Sequence, residues 1–172
     1  QIGYNSRLDT IQAAILNVKL NSISKWIELR KKVANNYLNL IKKNDLLFLP
    51  EINTKLTSHT WNQFVVRFKN DAFSIKDNSQ DLFETNIEIY KSLRNYLKYH
   101  LFKKGINSII YYPIPIHSQI AYQNTLFKRE ELLETEKICT EVLSLPMFPE
   151  ITLEEQTYVV ENLNLIINDY LN

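Results

Sequence analysis

Glycine is nearly absent from this sequence: Gly3 and Gly105 are the two glycines among 172 residues. Phosphate-binding loops of the Rossmann and Walker kinds need several glycines, because only glycine lets the backbone approach a phosphate closely. The chain therefore carries neither loop. If it contacts a phosphate, side chains or a second chain must supply the hydrogen-bond donors.

Cysteine, net charge and long apolar runs are also scarce. The one cysteine, Cys139, cannot form an internal disulfide and has none of the Cys/His spacing of a zinc site, which favours a reducing cytoplasm. A net charge of +1 gives no electrostatic case for nucleic acid. No run approaches the ~20 apolar residues of a membrane span, and none reads as a signal peptide. We expect a cytoplasmic protein without a metal site that binds neither nucleic acid nor a membrane.

The residues that are present predict helices packed around a small sheet. Hydrophobic residues make up 45% of the chain, enough for the core of one domain. An apolar repeat at three- and four-residue steps predicts a long helix over residues 8–41, bent near Asn21. Further helices are predicted over residues 82–104, over residues 128–143 and after Thr152.

Two segments have the composition of strands. In residues 59–68 apolar residues alternate along the chain, and residues 106–112 are apolar and β-branched. A short extended piece is expected at residues 46–49. We expect the two longer strands to pair with each other at the centre of a small antiparallel sheet, which makes the fold class α+β.

The amino-terminal segment is a polar loop that leads into the first helix. Ser6 and Asp9 have the spacing of a capping box, and Asn5 and Arg7 add donors near the positive end of the helix dipole. This combination suits an oxyanion such as phosphate. The alternative is that Ser6 only caps the helix while Asn5 and Arg7 are solvated.

A second candidate segment follows the residues 106–112. Pro113 and Pro115 fix an extended turn between Tyr112 and His117, and rigid loops of this kind often hold ligand contacts. The alternative is that the tyrosine packs in the core and His117 hydrogen-bonds locally. His59 and His100 are read as structural.

Several segments occur in an order shared with one known family. The chain opens on Gly-Tyr-Asn-Ser-Arg-Leu-Asp-Thr-Ile-Gln-Ala-Ala from Gly3, similar to a G-x-N-x-R-x-D-x-x-Q-A-A segment. Four more segments follow in register: residues 30–40, 58–64, 105–117 and 143–149. Together they resemble the DegT/DnrJ/StrS sugar aminotransferases, which use pyridoxal phosphate. The resemblance covers essentially the whole chain, and residues 72–99 are its least typical part.

The resemblance implies a domain assignment. The chain matches the carboxy-terminal small domain of a fold-type I enzyme, with a linking helix over residues 1–44 and a small α+β domain over residues 45–172. In the family a large amino-terminal domain supplies the lysine that binds the cofactor covalently. We expect this chain to lack that domain and therefore to contain no catalytic residue.

The resemblance also implies roles for four residues. In the family the loop that matches Asn5 and Arg7 reaches across a homodimer into the neighbouring active site, with the asparagine close to the cofactor phosphate. Asn5 and Arg7 are thus predicted to bind pyridoxal phosphate, in the presence of the large domain and a dimer partner. The histidine that matches His117 borders the sugar pocket, so His117 and Tyr112 are predicted to bind substrate.

The function implied is transfer of an amino group, from glutamate, to a nucleotide-linked keto sugar, in amino-sugar or surface-polysaccharide synthesis. We expect the chain to be inactive alone. One alternative is a related sugar dehydratase, because the two classes differ at the missing lysine. Another is a non-catalytic remnant that serves as an interaction domain. Without its large domain, the first helix should expose an apolar stripe, and the chain should associate.

Overall fold

The computed structural model describes residues 7–41, 46–51, 58–69, 92–123 and 131–171. In these ranges the helices are α1 (Thr10–Leu20), α2 (Ile23–Leu40), α3 (Leu93–Lys103), α4 (Ile120–Gln123), α5 (Leu133–Glu141) and α6 (Leu153–Leu171). The strands are β1 (Leu47–Phe48), β2 (Phe64–Phe68) and β3 (Val142–Leu145). No helix within these ranges combines the length and apolar character that crossing a bilayer requires.

The three strands form an antiparallel sheet with β2 in the middle. Leu47 of β1 lies opposite Phe68, and Leu145 of β3 lies opposite Phe64 at the other end of β2. Because side chains alternate between the two faces of a strand, Phe64, Val66 and Phe68 all lie on the buried face. The strand predicted within residues 59–68 and the extended piece at residues 46–49 are confirmed.

Helices α2, α3 and α6 cover the buried face of the sheet. The ring of Tyr37 in α2 lies 4.9 Å from that of Phe64, measured between centroids. Leucines from α3 and aliphatic residues from α6 complete the core, and α6 packs against both α2 and α3. Gly105 ends α3 with φ of 75°, the left-handed conformation that favours glycine, as predicted. Thr152 and Glu155 form the predicted capping box before α6.

The predicted central strand pairing is wrong. Residues 106–112 contribute a single bridge, from Ile109 to Ser144, and the main partner of β2 is instead β3. The helix predicted over residues 128–143 is too long at its end, because α5 stops at Glu141 and the chain continues directly as a strand. The cause is non-local, because Val142–Leu145 gains its backbone hydrogen bonds from β2 and, at Ser144, from Ile109.

The predicted long first helix is two helices. Asn21 and Ser22 separate α1 from α2, and the Ser22 amide donates to the Lys19 carbonyl at 3.0 Å, which tightens the turn. Both side chains compete for backbone hydrogen bonds and therefore favour helix ends over helix interiors. The break confirms the bend expected near Asn21, whereas the end of the proposed linker, residue 44, lies outside the described residues.

The two helices differ in how they pack. In α2, Val33, Ala34 and Tyr37 are buried in the core, but α1 has no buried residue. The apolar residues of and around α1 are exposed: Leu8, Ile11, Ile15, Leu16, Val18, Leu20 and Ile23. The exposed apolar stripe expected on the first helix is confirmed.

Candidate functional site

The predicted phosphate-binding residues lie at the start of α1. Asn5 and Ser6 fall outside the described residues, and Arg7 is exposed just before the helix. Asp9 is the N-cap of α1, and its side chain accepts a hydrogen bond from the Ile11 amide at 2.8 Å. The capping box expected between Ser6 and Asp9 includes Ser6, which lies outside the described residues.

The predicted substrate-binding residues lie in the segment between the Ile109 bridge and α4. Tyr112 is 69% exposed, and its ring lies 5.3 Å from that of Tyr111. The alternative in which this tyrosine packs in the core is therefore wrong. A large exposed phenol on a proline-bounded turn can stack on, or hydrogen-bond to, a ligand.

His117 occupies a 3₁₀ turn, Ile116–Ser118, that begins directly after Pro115. The Ser118 amide donates to the Pro115 carbonyl at 3.0 Å and closes the turn. His117 Nε2 lies 3.0 Å from Oε1 of Glu136, in α5, and the histidine side chain is 18% exposed. Glu136 was not among the residues predicted to form the site, because no local sequence motif marks it.

The structure does not join the two predicted groups into one site. In the described ranges, no hydrogen bond or ion pair links Arg7 to Tyr112 or His117. An open groove beside the start of α6 is lined by Ile106, Phe148, Ile151 and Tyr158, among others, and by none of the predicted site residues. The described contacts therefore do not bring Arg7 together with His117 or Tyr112.

Arg30 holds residues 58–64, one of the segments that resemble the family, in place. Arg30 Nη1, on α2, donates to the carbonyls of Trp61 and Asn62, both at 3.0 Å, and to that of Met147 at 3.2 Å. His59 Nδ1 accepts from the Trp61 amide at 2.9 Å, as expected of a structural histidine. This cation ties α2 to two loops at the end of the sheet.

The same end of the molecule holds a buried phenol. Tyr37 donates from its hydroxyl to the Pro146 carbonyl at 2.9 Å. Burial, with a smaller contribution from the nearby Glu155, raises the pKa of Tyr37 far above its usual range. The hydroxyl therefore keeps its proton and acts as a donor that fixes Pro146.

A pyridoxal phosphate site needs an anion-binding group for the phosphate and a lysine for the covalent bond. Arg7 is an exposed cation at a helix start, which fits the first need. The lysines of the first two helices do not fit the second, because Lys19, Lys25 and Lys32 are exposed and Lys31 pairs with Glu28 at 2.7 Å. The described residues of these helices can therefore supply part of a cofactor site but not the whole of it.

The chain is similar to two characterised proteins over nearly its full length. It is 36% identical over 165 residues to the pleiotropic regulatory protein of Geobacillus stearothermophilus, covering 94% of this chain and 38% of that protein. It is also 36% identical to dTDP-3-amino-3,6-dideoxy-alpha-D-galactopyranose transaminase of Aneurinibacillus thermoaerophilus, covering 94% of this chain and 37% of the transaminase. The chain thus spans little more than a third of these relatives.

A solved structure shows the same fold. The crystal structure of S. venezuelae DesV in complex with a ketimine intermediate superposes with a TM-score of 0.72 at 27% identity, over 96% of this chain and 38% of DesV. The predicted fold class, the α+β small domain of a fold-type I transferase, is confirmed by this match and by the helix-packed antiparallel sheet.

A family model covers most of the sequence. The model of the DegT/DnrJ/EryC1/StrS aminotransferase family matches residues 1–164, which include every segment that carried the resemblance. The chain therefore belongs to the DegT/DnrJ/EryC1/StrS aminotransferase family.

Proposed function

We propose that this chain is the small-domain part of a pyridoxal phosphate-dependent aminotransferase that acts on nucleotide-linked keto sugars. The observation that carries the proposal is the exposure of α1. This helix is rich in apolar residues, yet none of them is buried. It connects Arg7 to α2, which packs in the core. None of the described residues buries this stripe, and an exposed apolar stripe of this kind marks an interaction surface. A large domain and a second subunit would cover it.

The family match and the transaminase relative support the reaction class. Pyridoxal phosphate supplies the electron sink when bound, and the protein supplies binding and orientation. In this proposal Arg7, with Asn5, binds the cofactor phosphate of the neighbouring subunit, while His117 and Tyr112 orient the sugar. Glutamate is the proposed amino donor. The sugar dehydratase alternative has less support, because a transaminase is among the relatives.

A hybrid-dimer experiment tests whether the phosphate contact crosses between subunits. In the complete protein, Arg7→Gln should weaken pyridoxal phosphate binding, read from the absorbance of the bound cofactor, whereas Lys19→Gln should not. Subunits carrying Arg7→Gln are then mixed with subunits that lack the covalent lysine. Each hybrid dimer regains one intact site, so random mixing should restore about a quarter of the wild-type activity. No recovery would show that Arg7 does not act across the dimer.

The inactivity of the chain alone has a chemical test. The 172-residue chain, treated with pyridoxal phosphate and borohydride, should show no stoichiometric lysine label, while the complete protein should be labelled at one lysine. Labelling of one lysine in the short chain would contradict the assignment of the covalent bond to a separate domain. Unlabelled complete protein would instead favour the non-catalytic remnant.

The substrate role of the second site is tested with glutamate and a panel of dTDP- and UDP-linked keto sugars. His117→Gln and Tyr112→Phe should raise KM for the sugar nucleotide that is turned over, with a smaller effect on KM for glutamate. Ile120→Ala, at an exposed position nearby, is the matched control. Unchanged KM in both site variants would remove His117 and Tyr112 from the substrate pocket.

A further inference from the structure

We infer that Glu136 is a positioning residue that makes His117 a hydrogen-bond acceptor for a hydroxyl or amine of the sugar. The inference rests on the proposed function, in which His117 faces the substrate.

The geometry places the two side chains on separately anchored elements. His117 lies in the 3₁₀ turn closed by the Ser118 amide, and the Gln119 amide donates to the Ile116 carbonyl at 3.1 Å. Glu136 lies in the first half of α5, where its amide donates to the Leu132 carbonyl at 2.9 Å. The contact of 3.0 Å between Nε2 and Oε1 therefore joins two elements whose backbones are already hydrogen-bonded.

A second contact holds α5 itself. Arg94 Nη1, on α3, donates to the Cys139 carbonyl at 2.8 Å, near the end of α5. The helix that carries Glu136 is thereby tied to the core helix α3. The carboxylate is 37% exposed and the imidazole 18%, so their contact is partly shielded from water. A hydrogen bond in such a position can fix the orientation of the ring.

The proton arrangement follows from the chemistry of the acceptor. An ionised carboxylate only accepts hydrogen bonds, so the proton in this contact belongs to Nε2 of His117. In the neutral ring the other nitrogen, Nδ1, then has a free lone pair and accepts. A sugar hydroxyl or amine can donate to that lone pair, whereas a carbonyl or phosphate oxygen cannot. Glu136 thus sets the class of ligand group that His117 prefers.

The contact can be measured without substrate. In the 172-residue chain labelled with ¹⁵N-histidine, at pH 8, the Nε2–H of His117 should give a protected, exchange-resistant signal. Glu136→Ala should abolish it, and Glu136→Gln should retain it, because the glutamine carbonyl still accepts. Glu134→Ala, on the same helix and exposed, is the matched control and should leave the signal unchanged. A signal that survives Glu136→Ala would overturn the inference.

Kinetics of the complete protein test the consequence. Losing one orienting hydrogen bond should raise KM for the sugar nucleotide about 2- to 12-fold, with kcat nearly unchanged. Glu136→Gln should recover most of the loss. If His117→Gln raises KM and Glu136→Ala does not, the role of Glu136 is refuted while the proposed function stands. If neither variant changes KM, the substrate role of His117 fails, and this inference about its ligand fails with it.

Discussion

The ion pair between Arg67 and Glu141 should respond very differently to the removal of each partner. Arg67 Nε, on β2, contacts Glu141 Oε2 at the end of α5. The glutamate side chain is 1% exposed, whereas the arginine side chain is 30% exposed and its guanidinium lies 5.5 Å from the centre of the Phe48 ring. The other carboxylate oxygen of Glu141 is buried and has no hydrogen-bond partner among the residues that the structure describes. The carboxylate therefore depends on Arg67 far more than Arg67 depends on it.

The magnitudes follow from these exposures. Arg67→Met leaves an uncompensated buried charge and should lower the free energy of unfolding by about 3–5 kcal/mol. After Glu141→Leu, the guanidinium of Arg67 still contacts water and the Phe48 ring. This variant should therefore lower the free energy of unfolding by about 1 kcal/mol. Because an apolar pair of similar volume can replace a buried ion pair, the double variant should lie within about 1 kcal/mol of wild type.

Urea unfolding of the chain, followed by circular dichroism, measures all three variants. The slope of the unfolding free energy against urea concentration should be the same in all variants, so that shifts of the unfolding midpoint report changes in stability. Lys31→Met, which breaks the surface pair with Glu28, is the control and should change stability by less than about 1 kcal/mol. The reasoning is refuted if Arg67→Met costs no more than Glu141→Leu, or if the two single losses add in the double variant.

Substitutions at three further positions test other parts of the fold by the same unfolding assay. Gln156→Leu removes a fully buried amide that bridges α6 to α2 and should cost about 2–3 kcal/mol, since its partners lose their hydrogen bonds. Gly105→Ala meets no atom within 4 Å, so only the positive φ opposes it, by about 1 kcal/mol, and Asn should cost less. Burial lowers the pKa of His100 against the opposing effect of Asp169, so the unfolded chain binds more protons. Stability should therefore fall as pH drops below about 6.5, and His100→Phe should flatten that slope.

The local sequence pattern was enough to predict those elements in which apolar residues recur at a regular spacing. Alternation in β2 and the apolar repeat of α6 both reflect one buried face, and both were predicted. Val142–Leu145 has no such pattern, because all four residues are buried and they follow a helix without a break. A short apolar run of this kind is ambiguous until its partner strand is known.

The same limit applies to the candidate site. Pro113 and Pro115 mark a rigid turn in the sequence, so His117 could be singled out as a ligand contact. Its partner Glu136 lies 19 residues later on another helix, and one glutamate among several on α5 carries no signal of that contact. The covered face of α5 is equally hard to read from its sequence, because its one buried residue is the charged Glu141, whereas Cys139 is half-buried. Which face of a short helix is covered depends on its neighbours.

The late position of β3 in the chain has a consequence for synthesis on the ribosome. Gln63 and Ser144, which hydrogen-bond across the sheet, are 81 residues apart, and Asn36 is 120 residues from Gln156. At 5–20 residues per second, β3 is made about 4–16 s after β2. Until then the apolar side of β2 and the long edge that β3 will cover are open to other chains. The nascent protein is therefore most exposed to aggregation, and most dependent on chaperones, just before β3 is added.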